Sequence, residues 1–252
     1  MDRRTLYSGC CIIIGLTIAA CTAETDSENI KTSGIHAVIR AFAAGDGNTA
    51  VSTQLTVGKN GVFATNIDLT GGDTLTASSG STTTTLVKEK DWFTGAIYYK
   101  AILPGDTAGT EIKVSFIRPN DTAAPNSTVS LPYAPALTAP TEGESFSQAQ
   151  DITVTWDNTN SDLPITLEFD FNCAIIGGGR GFDVPKANIA NTGSITYPIS
   201  SLLGSLVLKT GESCNTTITI SREAAGSLDS HYGEGGLMTA IQYRKITVTI
   251  TP

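Results

Sequence analysis

The chain of 252 residues is expected to be an all-β protein, with two tandem antiparallel β-sandwich domains behind a cleaved N-terminal export signal. Three observations lead there. Thr, Ser, Gly, Val and Ile dominate and only 16% of residues are charged, a composition that favours strands over helices. Short apolar-alternating stretches recur at about 8–12-residue spacing, as in sandwiches and barrels. Turn signals separate them: Gly45-Asp46-Gly47, Asn60-Gly61, Gly71-Gly72-Asp73 and Gly105-Asp106.

Residues 1–20 read as the signal. Arg3 and Arg4 precede the apolar run 10–20 (CCIIIGLTIAA), which is shorter than the roughly 20 apolar residues of a bilayer-spanning helix. Its last residues, Ile18-Ala19-Ala20-Cys21, resemble the lipobox of bacterial lipoproteins, in which an aliphatic residue and two small ones precede a Cys. The resemblance implies that Cys21 becomes the lipidated first residue of the mature chain. The lipid on Cys21 would then hold the protein to a membrane of the bacterial cell envelope. Thr22 stands where an Asp would imply inner-membrane retention, so the same rule implies the outer membrane. An ordinary secretory cleavage near Ala20 or Ala23, with Cys21 incidental, is the alternative. Cys10 and Cys11 are apolar members of the signal and leave with it. Residues 21–33 are polar without an apolar period and read as a flexible tether.

Losing Asp2, Arg3 and Arg4 with the signal leaves 14 basic against 23 acidic residues, a net charge of −9. With no basic patch, nucleic acid is excluded as a partner, because phosphate binding needs clustered Lys and Arg.

Residues 34–133 form the expected first domain, with strands over 35–42, 51–57, 62–69, 74–78, 83–88, 95–103 and 111–117. Lys59-Asn60-Gly61 reads as a hairpin turn. Pro119, Pro125, Pro132, Pro135 and Pro140 then cluster, so the last strand should be short, over 127–131, with the boundary near Tyr133.

Residues 134–252 form the expected second domain. Its opening, PTEGESFSQAQDITVTW (140–156), resembles that of immunoglobulin-like and fibronectin type III domains, which implies an Ig-like sandwich. Ile152, Val154 and Trp156 alternate inward. Further strands are expected over 165–173, 194–198, 215–222 and 237–251. Trp156 precedes Cys173, and the Cys173 to Cys214 spacing is shorter than in antibody domains, so the likeness is to the sandwich and not to the antibody type. Cys173 and Cys214 are expected to form a disulfide in an oxidising compartment, with two free buried thiols as the alternative. The stretches VSFIRPNDTAAPNSTVSLP (114–132) and LDSHYGEGG (228–236) resemble a group of two-domain envelope lipoproteins, a resemblance that implies architecture and no activity.

Chemistry is sparse. Gly177-Gly178-Gly179-Arg180-Gly181 could cradle phosphate only before a helix, which Pro185 opposes; a mobile loop is expected, with Arg180 and Phe182 its candidate ligand contacts. Asp229, His231 and Glu234 suggest metal at first sight, but no second His is near and an ordered loop is expected. His36 should lie at the strand surface or edge. Asp46, Asp73 and Asp106 are turn formers without a calcium-loop array. No G-x-S-x-G elbow occurs, so neither an enzyme nor a cofactor or metal is expected. Trp92 precedes a strand holding Tyr98 and Tyr99, whose side chains must take opposite faces. One of these tyrosines belongs to the core and the other is exposed or edge-placed. Trp92 is expected to cap the core; if it is exposed, Trp92 with Tyr98 or Tyr99 are candidate ligand contacts, for a glycan in particular. The sequence therefore implies a lipid-anchored envelope protein that binds or scaffolds an envelope protein or glycan. The alternatives are a glycan-binding surface module and, less favoured, an envelope-polymer hydrolase.

Overall fold

The computed structural model describes residues 23–58, 64–174, 180–204, 206, 208–209 and 211–252. Residues 1–20, Cys21, the Lys59-Asn60-Gly61 turn and Gly177-Gly178-Gly179 lie outside the described residues, as does the side chain of Arg180.

The first half contributes β1 (Glu24–Asp26), β2 (Ile35–Ala43), β3 (Asn48–Val57), β4 (Thr65–Asp68), β5 (Thr74–Ser79), β6 (Thr82–Thr85), β7 (Val87–Lys90), β8 (Ile97–Pro104), β9 (Glu111–Ile117) and β10 (Ala124–Ser130). The second contributes β11 (Leu137–Ala139), β12 (Ser145–Ser147), β13 (Asp151–Trp156), β14 (Ile165–Ala174), β15 (Arg180–Ile189), β16 (Ser194–Pro198), the short helix α1 (Ile199–Leu203), β17 (Cys214–Ala225) and β18 (Leu237–Thr251).

In the first sandwich, β7, β8, β3 and β2 form one sheet, with β4 and β1 extending it beyond the end of β3; β10, β9, β5 and β6 form the other. Period-two alternation builds the core between them. β8 turns Ile97, Tyr99, Ala101 and Leu103 inward, and β9 opposes them with Ile112, Val114 and Phe116. Each large apolar side chain taken from water there contributes about 1.5–3 kcal/mol. The single strand expected over 83–88 is two strands. At buried Leu86 the chain crosses from β6, paired with β5, to β7, paired with β8, so one segment closes an edge of both sheets. Pro125 is accommodated at a register shift between Ala124 and Ser127, which lets β10 start earlier than expected.

The second sandwich sets β12, β18, β17, β14 and β15 against β11, β13 and β16. Its core holds Trp156, Phe169, Phe171, Ile218, Ile220, Val248 and Ile250. Cys173 and Cys214 form the disulfide, joining the neighbouring strands β14 and β17 within one sheet. The stretch after the glycine run is not a loop from residue 180 onward. It is β15, which pairs only with β14 and so tolerates Pro185 on an edge, where a missing N–H costs no ladder bond.

One ladder joins the two cores. β17 and β18 pair in unbroken antiparallel register from Cys214 opposite Ile250 to Ala225 opposite Thr239. Those 12 residues of β17 extend about 40 Å at a strand's usual rise. Val248 and Ile250 lie in the second core, whereas Met238 and Ala240 lie in the first, where residues 237–242 run parallel to β2. Residues 228–240 thus complete the first core although they follow the second in sequence. The β1–β4 and β12–β18 pairs are also parallel, so the sheets are mixed and not purely antiparallel.

Arg222 and Gln242 face each other where the ladder passes between the cores, and each is 1% exposed. Arg222 donates to the carbonyls of Tyr133 (3.3 Å) and Asp157 (3.0 Å) and to Asn191 Oδ1 (3.0 Å), which also accepts Trp156 Nε1 (2.7 Å). Gln242 donates to the Asp106 carbonyl. A charged group this deep persists because its terminal nitrogens meet fixed acceptors, although its buried Nε has none among the described residues.

Candidate functional site

The tip between β7 and β8 is the most unusual surface feature. Asp91 shapes it: Asp91 Oδ1 accepts from the backbone N–H groups of Phe93 (3.0 Å) and Thr94 (2.6 Å) and from Thr94 Oγ1 (2.8 Å). The Thr94 backbone bond, then its hydroxyl, hold the Asp91 carboxyl below the ordinary carboxylate range. Gly95, at φ 71°, closes the turn by donating to the Asp91 carbonyl. The turn displays two aromatics to solvent, Trp92 at 92% exposure and Phe93 at 80%, their rings edge to face at 5.7 Å. Trp92 therefore does not cap the core.

Beyond the tip, the tyrosines divide as the strand requires. Tyr99 is buried, donating to the Ile67 carbonyl (3.0 Å) and accepting from Leu69 N–H (2.9 Å). It cannot touch a ligand, which removes it from the candidate contacts; burial, its main influence, pushes its hydroxyl pKa up. Tyr98 is half-buried on the outer face and lines a shallow hollow of about 290 Å³ with Arg40, Phe42, Gln54 and Lys100. Farther from the tip, exposed Val87 and Ile102 line a more apolar groove of about 760 Å³, crossed by the Lys100–Glu89 ion pair at 2.9 Å. Phe182 lies apart on β15, half-buried and stacked on Phe171 at 4.8 Å. The candidate contacts therefore do not converge on one pocket.

The chain's entry into the fold lies beside the tip. The expected flexible tether is instead docked over residues 24–34. β1 pairs with β4, and Asn66 N–H donates to the Ala23 carbonyl (2.8 Å). Asn66 also reaches the tip, accepting from Ile97 N–H (3.3 Å) and donating to the Gly95 carbonyl (3.5 Å). Lys90, next to the turn, pairs with Glu24.

Arg118 explains the docking. Its guanidinium, 2% exposed, binds Asp73 through Nε (2.9 Å) and Asp121 through one terminal nitrogen (2.9 Å). It also donates to the carbonyls of Ser27 (2.6 Å) and Ile30 (2.9 Å) and to Thr32 Oγ1 (3.0 Å). Asp121 in turn accepts from Thr32 N–H (2.9 Å). Bonds from the Thr122 and Thr32 backbone, more than the charges of Lys31 and Arg118, hold the Asp121 carboxyl below its ordinary range. No local signal in residues 21–33 marks this; the partner stands some ninety residues away.

The second motif resolves as packing. Asp229 is buried and accepts from Asn126 N–H (2.7 Å) and from both the backbone and Nδ1 of His231 (3.0 and 2.7 Å). Burial raises its pKa, but these bonds together outweigh it and the net shift is downward. A Cβ on Gly236 would stand 2.6 Å from the Ala37 carbonyl, so this loop lies directly on β2. It also covers His36, which is 7% exposed with Nε2 2.7 Å from the Gly235 carbonyl, and is not at a strand surface as expected. Asp73 serves Arg118, while Asp46 and Asp106 cap backbone N–H groups. Among the described residues no three His, Cys, Asp or Glu side chains gather around a metal-sized point.

No family model and no curated protein matches the chain at a significant level. Solved structures that it matches include the ectodomain of mouse nectin-like molecule 4 (9% identity, TM-score 0.27, covering 84% of this chain and 65% of that one). Others are fibronectin(III)-like modules of Clostridium thermocellum CbhA (13% identity, TM-score 0.22, covering 85% of this chain and 93% of that one) and the Yersinia pseudotuberculosis adhesin InvE (16%, 0.22, 86% and 59%). The chain thus spans less than two thirds of the nectin-like and InvE chains. With TM-scores this low, the two-sandwich description rests on the strand pairing itself.

Proposed function

We propose that this is a lipid-anchored protein of the bacterial cell envelope, held by Cys21 at the outer membrane, with a non-catalytic binding or scaffolding role. Residues 1–20 are its signal, and its modules are 34–133, completed by 228–240, and 134–252. The observation that carries the reading is the chain's entry. The Cys of a lipobox stands two residues before Ala23, whose carbonyl is already bonded to the first sandwich. A lipid there is coupled to a folded body with almost no intervening chain. The buried Arg118 and Asp229 of that body are held by structural partners, which supports a packing role for them rather than a reactive one. Intact mass of protein extracted from membranes, with Cys21→Ser alongside, tests this. Acylated wild type and an unacylated variant released from the membrane are expected; an unacylated wild type, or a variant equally retained, would overturn the anchor.

A further inference from the structure

We infer that the β7–β8 tip is a membrane-interface foot, with Trp92 and Phe93 entering the headgroup region of the bilayer that holds the lipid. This rests on the lipid anchor proposed above and adds to it how the protein stands on the membrane.

Position is the first argument. Two residues of chain reach at most about 7 Å, so Cys21 lies within that distance of Ala23. Ala23 is one hydrogen bond from Asn66, and Asn66 bonds both Gly95 and Ile97, where the tip runs into β8. The acyl chains and the two aromatics therefore leave the protein from the same end.

Chemistry is the second. Trp and Phe are the largest exposed apolar side chains among the described residues, and Trp carries the amphipathic ring that settles at a membrane–water boundary. The carboxylates nearest the tip are already engaged: Asp91 by the turn, Glu24 by Lys90 and Asp68 by Lys88. Glu24 and Asp68 are thereby offset by lysines, while Asp91 keeps its charge and turns it to the donors of its own turn. The turn is braced by hydrogen bonds from Phe93, Thr94 and Gly95 to Asp91 and from Asp91 N–H to the Ala96 carbonyl, so presenting the rings costs little ordering entropy.

The third is the far end. β8 runs from the tip to Pro104, and Asp106 beyond it meets Gln242 at the junction with the second sandwich. Eight residues of strand, about 26 Å, separate foot from junction, so the second sandwich stands away from the bilayer. Because the lipid already holds the protein there, weak partitioning of two rings acts at high effective concentration and sets orientation.

The test uses the full lipidated protein, acylation of Cys21 verified by intact mass, reconstituted into phosphatidylethanolamine/phosphatidylglycerol vesicles with and without brominated lipid. Trp92→Phe leaves only Trp156, which is buried and hydrogen-bonded, so the difference between the proteins reports Trp92. On reconstitution the Trp92 emission is expected to shift to the blue and to fall about twofold with brominated lipid. Phe93→Ser should weaken that quenching, and since both side chains are exposed neither substitution takes anything from the core. Acylated protein whose Trp92 keeps water-like emission would overturn the foot while leaving the anchor standing. Emission that moves only with added oligosaccharide would overturn it in favour of a glycan contact. An unacylated Cys21 would overturn the anchor, and the foot with it.

Discussion

Replacing Arg118 by Met removes the clamp that turns a polar leader into part of the fold. The guanidinium is 2% exposed, and the Asp73 carboxylate facing it is 3% exposed, so the substitution strands a buried anion. Breaking such a pair from one side costs about 3–5 kcal/mol. The Ser27 and Ile30 carbonyls also lose their donor, but as residues 24–34 detach they regain water, which limits that further cost. The expected loss is therefore about 4 kcal/mol, read as a lower urea midpoint of protein freed of its signal and carrying Cys21→Ser. Hydrogen exchange should locate the damage. The amides of Ile30, Thr32 and Gly34, bonded to the Ser27 carbonyl, Asp121 and the Lys31 carbonyl, should lose protection while those of β8 and β9 keep theirs. Adding Asp73→Leu should recover at least half of the stability, because the uncompensated charge is gone, without restoring protection to 30–34. A midpoint change worth less than about 1 kcal/mol, or unchanged protection at Thr32, would refute the assignment of Arg118 as the docking residue.

Three further outcomes follow from the same physical terms. Arg222→Met leaves the Tyr133 and Asp157 carbonyls without their donor at the junction and should cost about 2–4 kcal/mol in denaturant unfolding, with one transition retained in the parent because the ladder crosses both cores. Removing the disulfide with Cys173→Ala/Cys214→Ala should cost about 4 kcal/mol for a 41-residue separation, measured against the parent in thermal melts with and without reductant. Asp91, Asp121, Asp157 and Asp229 all have native pKa values below the ordinary 3.8, so each favours folding above that pH. That contribution is lost as pH falls through the native values, and the urea midpoint should hold from neutral pH down to about 4 and drop below it.

The strands were legible where one face is buried and the other wet. In β9, β16 and β18, alternation alone located 111–117, 194–198 and 237–251 at their observed bounds. It could not show that β18 serves two cores, because its pattern is the same in both; only its 15 residues hinted at a longer task. Leu86 splits a uniform Thr-rich run without any turn residue, since crossing between sheets here needs only one buried side chain. β15 was hidden by Pro185, which penalises a central strand but not an edge. The docking of residues 24–34, and the burial of His36 and Arg222, depend on partners far away in sequence that no local window contains. At the site, the division of Tyr98 from Tyr99 was visible, whereas the Asp91 turn, which lacks a Gly-Asp or Asn-Gly pair, was not. The exposure of Trp92 was not, because a Trp beside a strand is equally suited to a core lid and to a surface, and the length of the β7–β8 turn decides between them.

The height of the first sandwich above the bilayer tests the lipid-anchored, docked arrangement most directly. A flexible chain over residues 21–33 would hold the fold roughly 20 Å from the lipid. A docked segment leaves only the reach of two residues, about 7 Å. Neutron reflectometry on the acylated protein in a supported bilayer reads that gap as a hydrated layer. Protein density continuous with the headgroups is the expected result; a water-filled layer near 20 Å between headgroups and protein would contradict it.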